Sequence, residues 1–297
     1  NNRILFFIFF ILFLVKIFAI YFTNFNLFGD EAQYWLWSKD LDFGYYSKPP
    51  FLAWFLNIYT LILGDGFISL KILPIAIYCI TAFALYNLCM NIGFKKNKAT
   101  ACSLVFLFIP AVSFSSFILS TDIFLLLFWI LSLNQLVKIK INPNLPNFAL
   151  LGIFLGLGFL SKYAAVYFVL CLLIYIIIDK RFRVVFLKNY IGFSFGFVCL
   201  LFILFPNIIW NIQNGWITIQ HTADNANLEN FNFSLIRGLG FIAIQILMLG
   251  PFLFLGAFFN TKNRSVNENQ NFLLIFSLPV FFIVFVEATI VRANANW

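Results

Sequence analysis

Apolar residues run in long blocks along this chain, and polar residues gather in the short gaps between them. A membrane-spanning helix needs roughly 20 consecutive apolar residues. The runs that reach or approach that length are 4–22, 67–91, 99–118, 122–139, 147–160, 163–178, 190–210, 235–258 and 272–291. The pattern predicts about nine spans, with 147–178 broken by Ser161-Lys162 into two short halves. The block Phe51–Leu63 is apolar but only about 13 residues long, too short to cross comfortably. Its flanks are Pro49-Pro50 and Gly64-Asp65-Gly66, and it is rich in aromatic residues. These features predict a helix lying in the membrane interface.

Composition strengthens that reading. The chain is 63% hydrophobic and 10% charged, with a mean hydropathy of +0.96. Soluble domains carry about 25% charged residues. A water-facing surface cannot be built from so few, so the expected fold class is an all-α integral membrane protein. The net charge of +8 is not a nucleic-acid footprint, because the basic residues cluster in short loops between apolar runs. Basic loops stay cytoplasmic. Sorting them puts Arg3, Lys95, Lys96, Lys98, Lys138, Lys140, Lys180, Arg181, Arg183, Lys188, Lys262 and Arg264 on the inner side. The loop 24–66, with its interfacial helix, then faces outward. So do the turns at Ser120-Thr121-Asp122 and Ser161-Lys162 and the loop 211–234. The five cysteines all lie in apolar runs without metal-ligand spacing and read as small core residues. The first span has no small-residue cleavage site and reads as retained. The sequence opens without Met and stops just after a span, so 1–297 reads as one transmembrane domain of a longer chain.

Sidedness concentrates the chemically capable residues. Gly29-Asp30-Glu31-Ala32-Gln33-Tyr34-Trp35 follows the first span directly, and Tyr45-Tyr46-Ser47-Lys48-Pro49-Pro50 follows soon after. Adjacent carboxylates at the edge of a span are expensive to keep near hydrocarbon. With Lys48 they supply the two electrostatic halves of a group-transfer site. Asp122, Lys162, His221, Asp224, Glu229, Arg237 and Arg292 lie at span ends or in loops on the same side. No Gly-rich nucleotide loop is present; Gly152, Gly156 and Gly158 suit close helix packing instead. A nucleotide-sugar donor is therefore disfavoured.

These motifs resemble the GT-C membrane glycosyltransferases, in particular the aminoarabinose-transferase-like and protein-mannosyltransferase-like group of bacteria. Asp30-Glu31 and Lys48-Pro49-Pro50 resemble the first outer loop of that family. Ser120-Thr121-Asp122 resembles its Thr-Asp pair. Gly156-Leu157-Gly158-Phe159-Leu160-Ser161-Lys162 resembles its Gly-Leu-Gly-x-x-(Ser/Thr)-Lys segment. Pro206-Asn207 through Trp216 and Asn294-Ala295-Asn296-Trp297 resemble later elements. The resemblance covers essentially the whole chain, and its strength lies in the order and common side of the motifs. One departure concerns metal. Ser47 stands where aminoarabinose transferases carry a glutamate that helps hold one.

The resemblance implies an inverting transferase in the bacterial inner membrane, with its site facing the periplasm. The donor is a polyprenyl-phosphate sugar, with undecaprenyl phosphate expected. The acceptor is a lipid such as lipid A, a surface glycan or a protein. Asp30 is the first choice for the base that takes the acceptor proton; its plainer reading is the N-cap of a helix over 31–38. Glu31 is the second carboxylate or a metal ligand, or a favourable charge at the helix N-terminus. Asp122 divides between chemistry and capping. Lys48 and Lys162 are expected at the donor phosphate, where charge grows as the bond breaks, with Arg237 a weaker candidate. Snorkelling, a simple turn and head-group anchoring are their respective alternatives. Tyr34, Tyr46, Trp216 and Arg292 are possible acceptor or sugar contacts. A divalent ion held by Glu31 and His221 stays open; no other cofactor is expected. The rival from another class is a transporter or flippase of polyprenyl-linked sugars. Transporters place polar groups near the bilayer midplane, often in repeated halves, and no internal repeat is visible here.

Overall fold

The computed structural model describes residues 2–22, 26–226, 232–261 and 268–291. Its elements are helical throughout. The first four are α1 (Asn2–Phe22), α2 (Gly29–Trp37), α3 (Phe51–Leu63) and α4 (Phe67–Asn91). Next come α5 (Lys96–Phe108), α6 (Pro110–Ser115), α7 (Asp122–Ile141) and α8 (Leu145–Ser161). A single 3-10 turn, Tyr163–Ala165, leads into α9 (Val166–Ile178) and α10 (Lys180–Lys188). Then follow α11 (Tyr190–Gln213), α12 (Ile217–Ala226) and α13 (Leu235–Leu249). The last are α14 (Pro251–Thr261), α15 (Glu268–Ile275) and α16 (Leu278–Ile290).

Among the described residues four stretches are long and apolar enough to cross a membrane: 67–91, 122–141, 190–213 and 268–290. The bent pair 163–178 and 180–188, which turns through 104°, makes a fifth if counted as one. Other apolar runs are shorter than the pattern suggested because a breaker interrupts them. The run 99–118 parts at Ile109, whose extended ψ of 128° is what the following Pro110 imposes. The run 235–258 parts at Gly250, which takes a φ of +94° open to glycine, just before Pro251. Helix α3 has the predicted bounds.

Lipid exposure is plain on the bundle's outside. Phe202, Ile236 and Phe252 are 81%, 82% and 89% exposed. Water would not tolerate so many such side chains, whereas acyl chains do. Inside, α8 packs against both α7 and α11, and α4 against α5 and α7. Between helices in lipid there is little hydrophobic drive, so close backbone approach carries the contact. Gly152 on α8 shows this: a Cβ there would collide with the carbonyl of Gly196 on α11. The predicted packing role of Gly152 is thus a backbone-on-backbone seam.

Polar contacts fall into two separate sets. In one, Lys140 lies 3.2 Å from Asp179 and Arg181 2.5 Å from Glu268, and Asn269 donates to the carbonyl of Ile92. These residues, at the ends of α4, α7, α9, α10 and α15, include inner-side residues of the charge sorting. In the other set, the segments sorted to the outer side meet one another. That second set builds the site.

Candidate active site

The loop between α2 and α3 is folded on itself before it touches anything else. The Tyr45 hydroxyl donates to the carbonyls of Trp37 (3.0 Å) and Asp40 (3.1 Å), and its ring stacks on Trp37 at 4.6 Å. Trp54 of α3 donates its indole N–H to the carbonyl of Asp42 at 2.8 Å. Two later helices then strap the loop down. Trp210 of α11 donates to the Asp42 carboxylate at 2.6 Å, Asn207 to the carbonyl of Phe43 at 2.6 Å, and Thr218 of α12 to the carbonyl of Tyr45 at 2.6 Å. Gly44 fits because it lies on the face of Trp210, where a Cβ would overlap the ring. The strap delivers Lys48 to a fixed place. Pro49 and Pro50, both buried, lock the chain as it enters α3.

Lys162 arrives from the opposite wall. Its backbone is extended (φ −158°, ψ 133°) between the end of α8 and the 3-10 turn. The neighbouring Tyr163 is held by Asn207 (3.0 Å) and Asn211 (3.0 Å) of α11. Its ammonium lies 2.8 Å from the carboxylate of Asp122, which opens α7. Lys48 is held below the usual lysine range, first by burial and then by the Lys162 charge; Asp122 and Asp30 act in the opposite direction. Two ammonium groups close enough to repel, with carboxylates alongside, make a site ready for an anion.

Both lysines line one cavity of about 560 Å³. Its polar side is Ser47, Lys48, Lys162 and Tyr163; its apolar side is Phe282, Ile283, Val286 and Ile290 of α16. Thr222 and Asn225 of α12 close another edge. The cavity is amphipathic, with cations at one part and lipid-like walls at another.

The carboxylates sort differently from expectation. Asp30 is not an N-cap: α2 begins at Gly29, and Asp30 stands exposed in its first turn. Its charge is felt at Lys48 and at Tyr34, as is that of Asp122. Asp122 likewise makes no capping hydrogen bond and gives its carboxylate to Lys162. Glu31 is wholly buried. One carboxylate oxygen accepts from Lys71 (2.8 Å) and the Leu119 amide (2.7 Å). The other accepts from Lys71 (2.6 Å) and the Phe28 amide (2.8 Å). All its accepting capacity is spent on protein, so the expected base or metal-ligand role does not suit it. It is a clasp joining α2, α4 and the segment before α7. Its partner Lys71 went unrecognised in the sequence, although it is a lone cation inside an apolar run.

The remaining expectations separate. Tyr34 is 4% exposed and packs on Trp37 at 5.7 Å, so it serves the core and not a sugar; burial pushes its hydroxyl pKa well up. Tyr46 is exposed beside His221, ring to ring at 4.6 Å. His221 shares a 2.9 Å hydrogen bond with Asn225. Among the described residues no three His, Cys, Asp or Glu side chains gather as a metal set. With Glu31 fully committed, these donors do not fit a bound divalent ion. Trp216 takes a φ of 60° at the turn after α11 and does not line the cavity. Arg237 reaches the carbonyl of Thr289 at 3.5 Å and lies outside the cavity lining, so it is displaced from the expected phosphate. Arg292, Glu229 and 294–297 lie outside the described residues. One cavity residue was missed altogether: Glu287 of α16, the only acid in the run 272–291. A single carboxylate inside a span was the available signal.

An all-helical, multi-pass membrane bundle with its polar loops gathered over a lysine-bearing cavity is the GT-C type of architecture. Residues 47–210 match the family described as dolichyl-phosphate-mannose-protein mannosyltransferase, and the chain belongs to that family. It is also 31% identical over 289 residues to the lipid A galacturonosyltransferase RgtD of Rhizobium johnstonii. That match takes in 96% of this chain and 60% of that protein, so the chain spans less than two thirds of the curated relative's length.

Proposed function

We propose that this protein is a glycosyltransferase that takes a sugar from a polyprenyl phosphate and passes it to lipid A on the outer face of the bacterial inner membrane. One observation carries the reading: Lys48 and Lys162, from segments far apart in the chain, line a single amphipathic cavity with Asp122 and Asp30 near its cations. The donor phosphate rests against the two ammonium groups. Its hydrocarbon chain follows the apolar face of α16. The acceptor oxygen attacks the anomeric carbon from the side opposite the phosphate. The bond from that carbon to the phosphate oxygen breaks, its electron pair leaves on the phosphate, and the configuration inverts. Lys48 and Lys162 stabilise the charge that accumulates there. Asp30 accepts the proton if the acceptor is a hydroxyl, and orients the acceptor if it is a phosphate. Asp122 holds Lys162 in place.

The family description names a polyprenyl-type phosphate donor, and the relative's name names lipid A; both support the proposed substrates. Purified protein incubated with undecaprenyl-phosphate sugar and lipid A tests it. Sugar transfer that is lost in Asp30→Ala and Lys48→Ala is the expected result. Movement of the donor lipid across vesicles without transfer points to a transporter and ends this reading.

A further inference from the structure

At the end of α9 away from the cavity the chain turns sharply. α9 starts close after Lys162 and ends at Ile178, and α10 leaves it at 104°. A helix at that angle to a span lies close to the membrane plane. The corner is built by its own residues. Asp179 caps α10 by accepting from the Phe182 amide at 2.8 Å. Phe182, fully buried, stacks on Tyr175 of α9 at 4.5 Å. Two cations of α10 are spent on the same corner. Arg183 donates to the carbonyls of Ile176 and Ile177 at the end of α9. Arg181 pairs with Glu268 of α15. The two lysines are different: among the described residues Lys180 and Lys188, both exposed, make no hydrogen bond or ion pair. Val184 stands halfway between them, so the three share one helix face, about 12 Å from end to end, and Leu187 adjoins it. Val184 and Leu187 are 49% and 63% exposed, and exposed Tyr190 and Ile191 follow at the start of α11.

We propose that this face of α10 binds anionic phospholipid of the leaflet opposite the cavity, with Lys180 and Lys188 on lipid phosphates and Val184 and Leu187 between them at the acyl boundary. Charge complementarity names the occupant. α10 belongs to the basic side of the charge sorting, and the leaflet on that side carries a negative surface potential. Cations flanking apolar residues on one face of an in-plane helix bind such a surface. The lysine stems lie along hydrocarbon while the ammonium groups reach the phosphates. Position favours lipid over a soluble acidic partner. α10 joins α9 to α11, and both stand in the bilayer, so its free face lies at head-group level. Arg181 and Arg183 hold the corner from within, which leaves the lysines free to exchange between lipids. The contact lies a whole span from the donor cavity and holds whether or not the protein transfers a sugar.

The test puts photo-reactive p-benzoylphenylalanine in place of Leu187 and reconstitutes the protein in phosphatidylcholine vesicles with a minority of phosphatidylglycerol. After illumination, the adducts on that peptide are identified by mass. Phosphatidylglycerol is expected among the lipid adducts at about threefold or more its share of the vesicle. Lys180→Gln combined with Lys188→Gln should bring it down to that share. Lys180→Arg combined with Lys188→Arg keeps both charges and should keep the enrichment. Adducts that simply follow the vesicle composition overturn the proposal, as does an enrichment that survives the paired glutamines. Illumination in whole cells tests the other occupant: adducts to a protein in place of lipid assign the face to a soluble partner and end the lipid reading. Should the paired glutamines not fold, Lys188→Gln alone must still cut the enrichment by about half; an unchanged value counts against the lysines.

Discussion

The ammonium of Lys162 lies 2.8 Å from the carboxylate of Asp122, joining the end of α8 to the start of α7 beside the cavity. Asp122 is half exposed and Lys162 is 21% exposed, so the pair sits at a water boundary. Exposed pairs add little stability. Its value is placement: the carboxylate fixes where the cation points while leaving it able to meet a phosphate. Lys162→Met is expected to raise the donor KM and to lower kcat, by about tenfold or more in kcat/KM, since it removes a charged contact made in the ground state and strengthened as charge grows on the phosphate. Asp122→Asn leaves the cation but frees its direction, so kcat falls more than KM rises. Steady-state kinetics on folded variants distinguish the two. Equal effects on both constants in both variants contradict the placement role.

Lys48 should show itself in pH dependence. Burial and the Lys162 charge hold its folded pKa below the usual lysine range. As pH rises it loses its proton before an ordinary lysine does, near 10.4, would. Donor binding that needs the ammonium therefore weakens from a lower alkaline pH than a surface lysine implies. Stability runs the other way. Between the lowered folded value and the unfolded value the unfolded chain binds more protons, so this residue's contribution to folding improves as pH rises through that window. Lys48→Arg, which stays charged throughout, is expected to move the alkaline fall in donor affinity upward. Binding titrations across alkaline pH check it; an identical profile in Lys48→Arg removes Lys48 from the phosphate.

Much of this arrangement was legible in the sequence, and what was not has a physical reason. Charge sorting placed Asp30, Lys48, Asp122 and Lys162 on one side because only basic loops record orientation. The bounds of α3 and α4 followed from long apolar runs with glycine or proline at their edges. The breaks at Pro110 and Gly250 were visible as residues but not as breaks, since a breaker inside a span is tolerated or not according to its neighbours. Glu31 shows the deeper limit. A carboxylate next to Asp30 at a membrane edge has the same pattern whether it faces substrate or core. Lys71, 40 residues away, decides it, and sequence spacing does not reveal that pairing. Glu287 was passed over because hydropathy averaging hides one acid among so many apolar neighbours.

The clasp between Glu31 and Lys71 predicts an asymmetry in stability. Both side chains are almost fully buried, at 0% and 3% exposed. Removing one partner of such a pair leaves a buried charge uncompensated and costs about 3–5 kcal/mol. Glu31→Leu or Lys71→Met alone should therefore lower the unfolding midpoint in detergent sharply. The double variant removes both charges and should recover a large part of the loss. A double variant as unstable as the sum of the singles would show that the two act independently. The same comparison bears on function. If Glu31 only clasps, a folded double variant retains measurable transfer, whereas a chemical role abolishes it.

Trp210 offers the most direct handle on the strap that holds the site's loop. Its indole N–H meets the Asp42 carboxylate at 2.6 Å, and its ring backs onto Gly44. A hydrogen bond to a charged group contributes about 1.5–3 kcal/mol when both partners are held in place. Trp210→Phe keeps an aromatic surface against Gly44 and loses that bond. The loop is still tied through Asn207 and Thr218, so the fold should survive while residues 38–48 open more often. Protease cleavage within that loop should become faster. Transfer should fall by about tenfold, because a donor bound to a wandering Lys48 reaches the reactive geometry less often. Gly44→Ala attacks the same seam from the other side: its new Cβ overlaps the Trp210 ring, so the strap must shift, and activity should fall with it. Pairing the two changes separates the cause. If Trp210→Ala makes room for the added methyl group and restores part of the activity lost in Gly44→Ala, the seam positions the loop. If Gly44→Ala alone is silent, Lys48 is placed by something other than this contact.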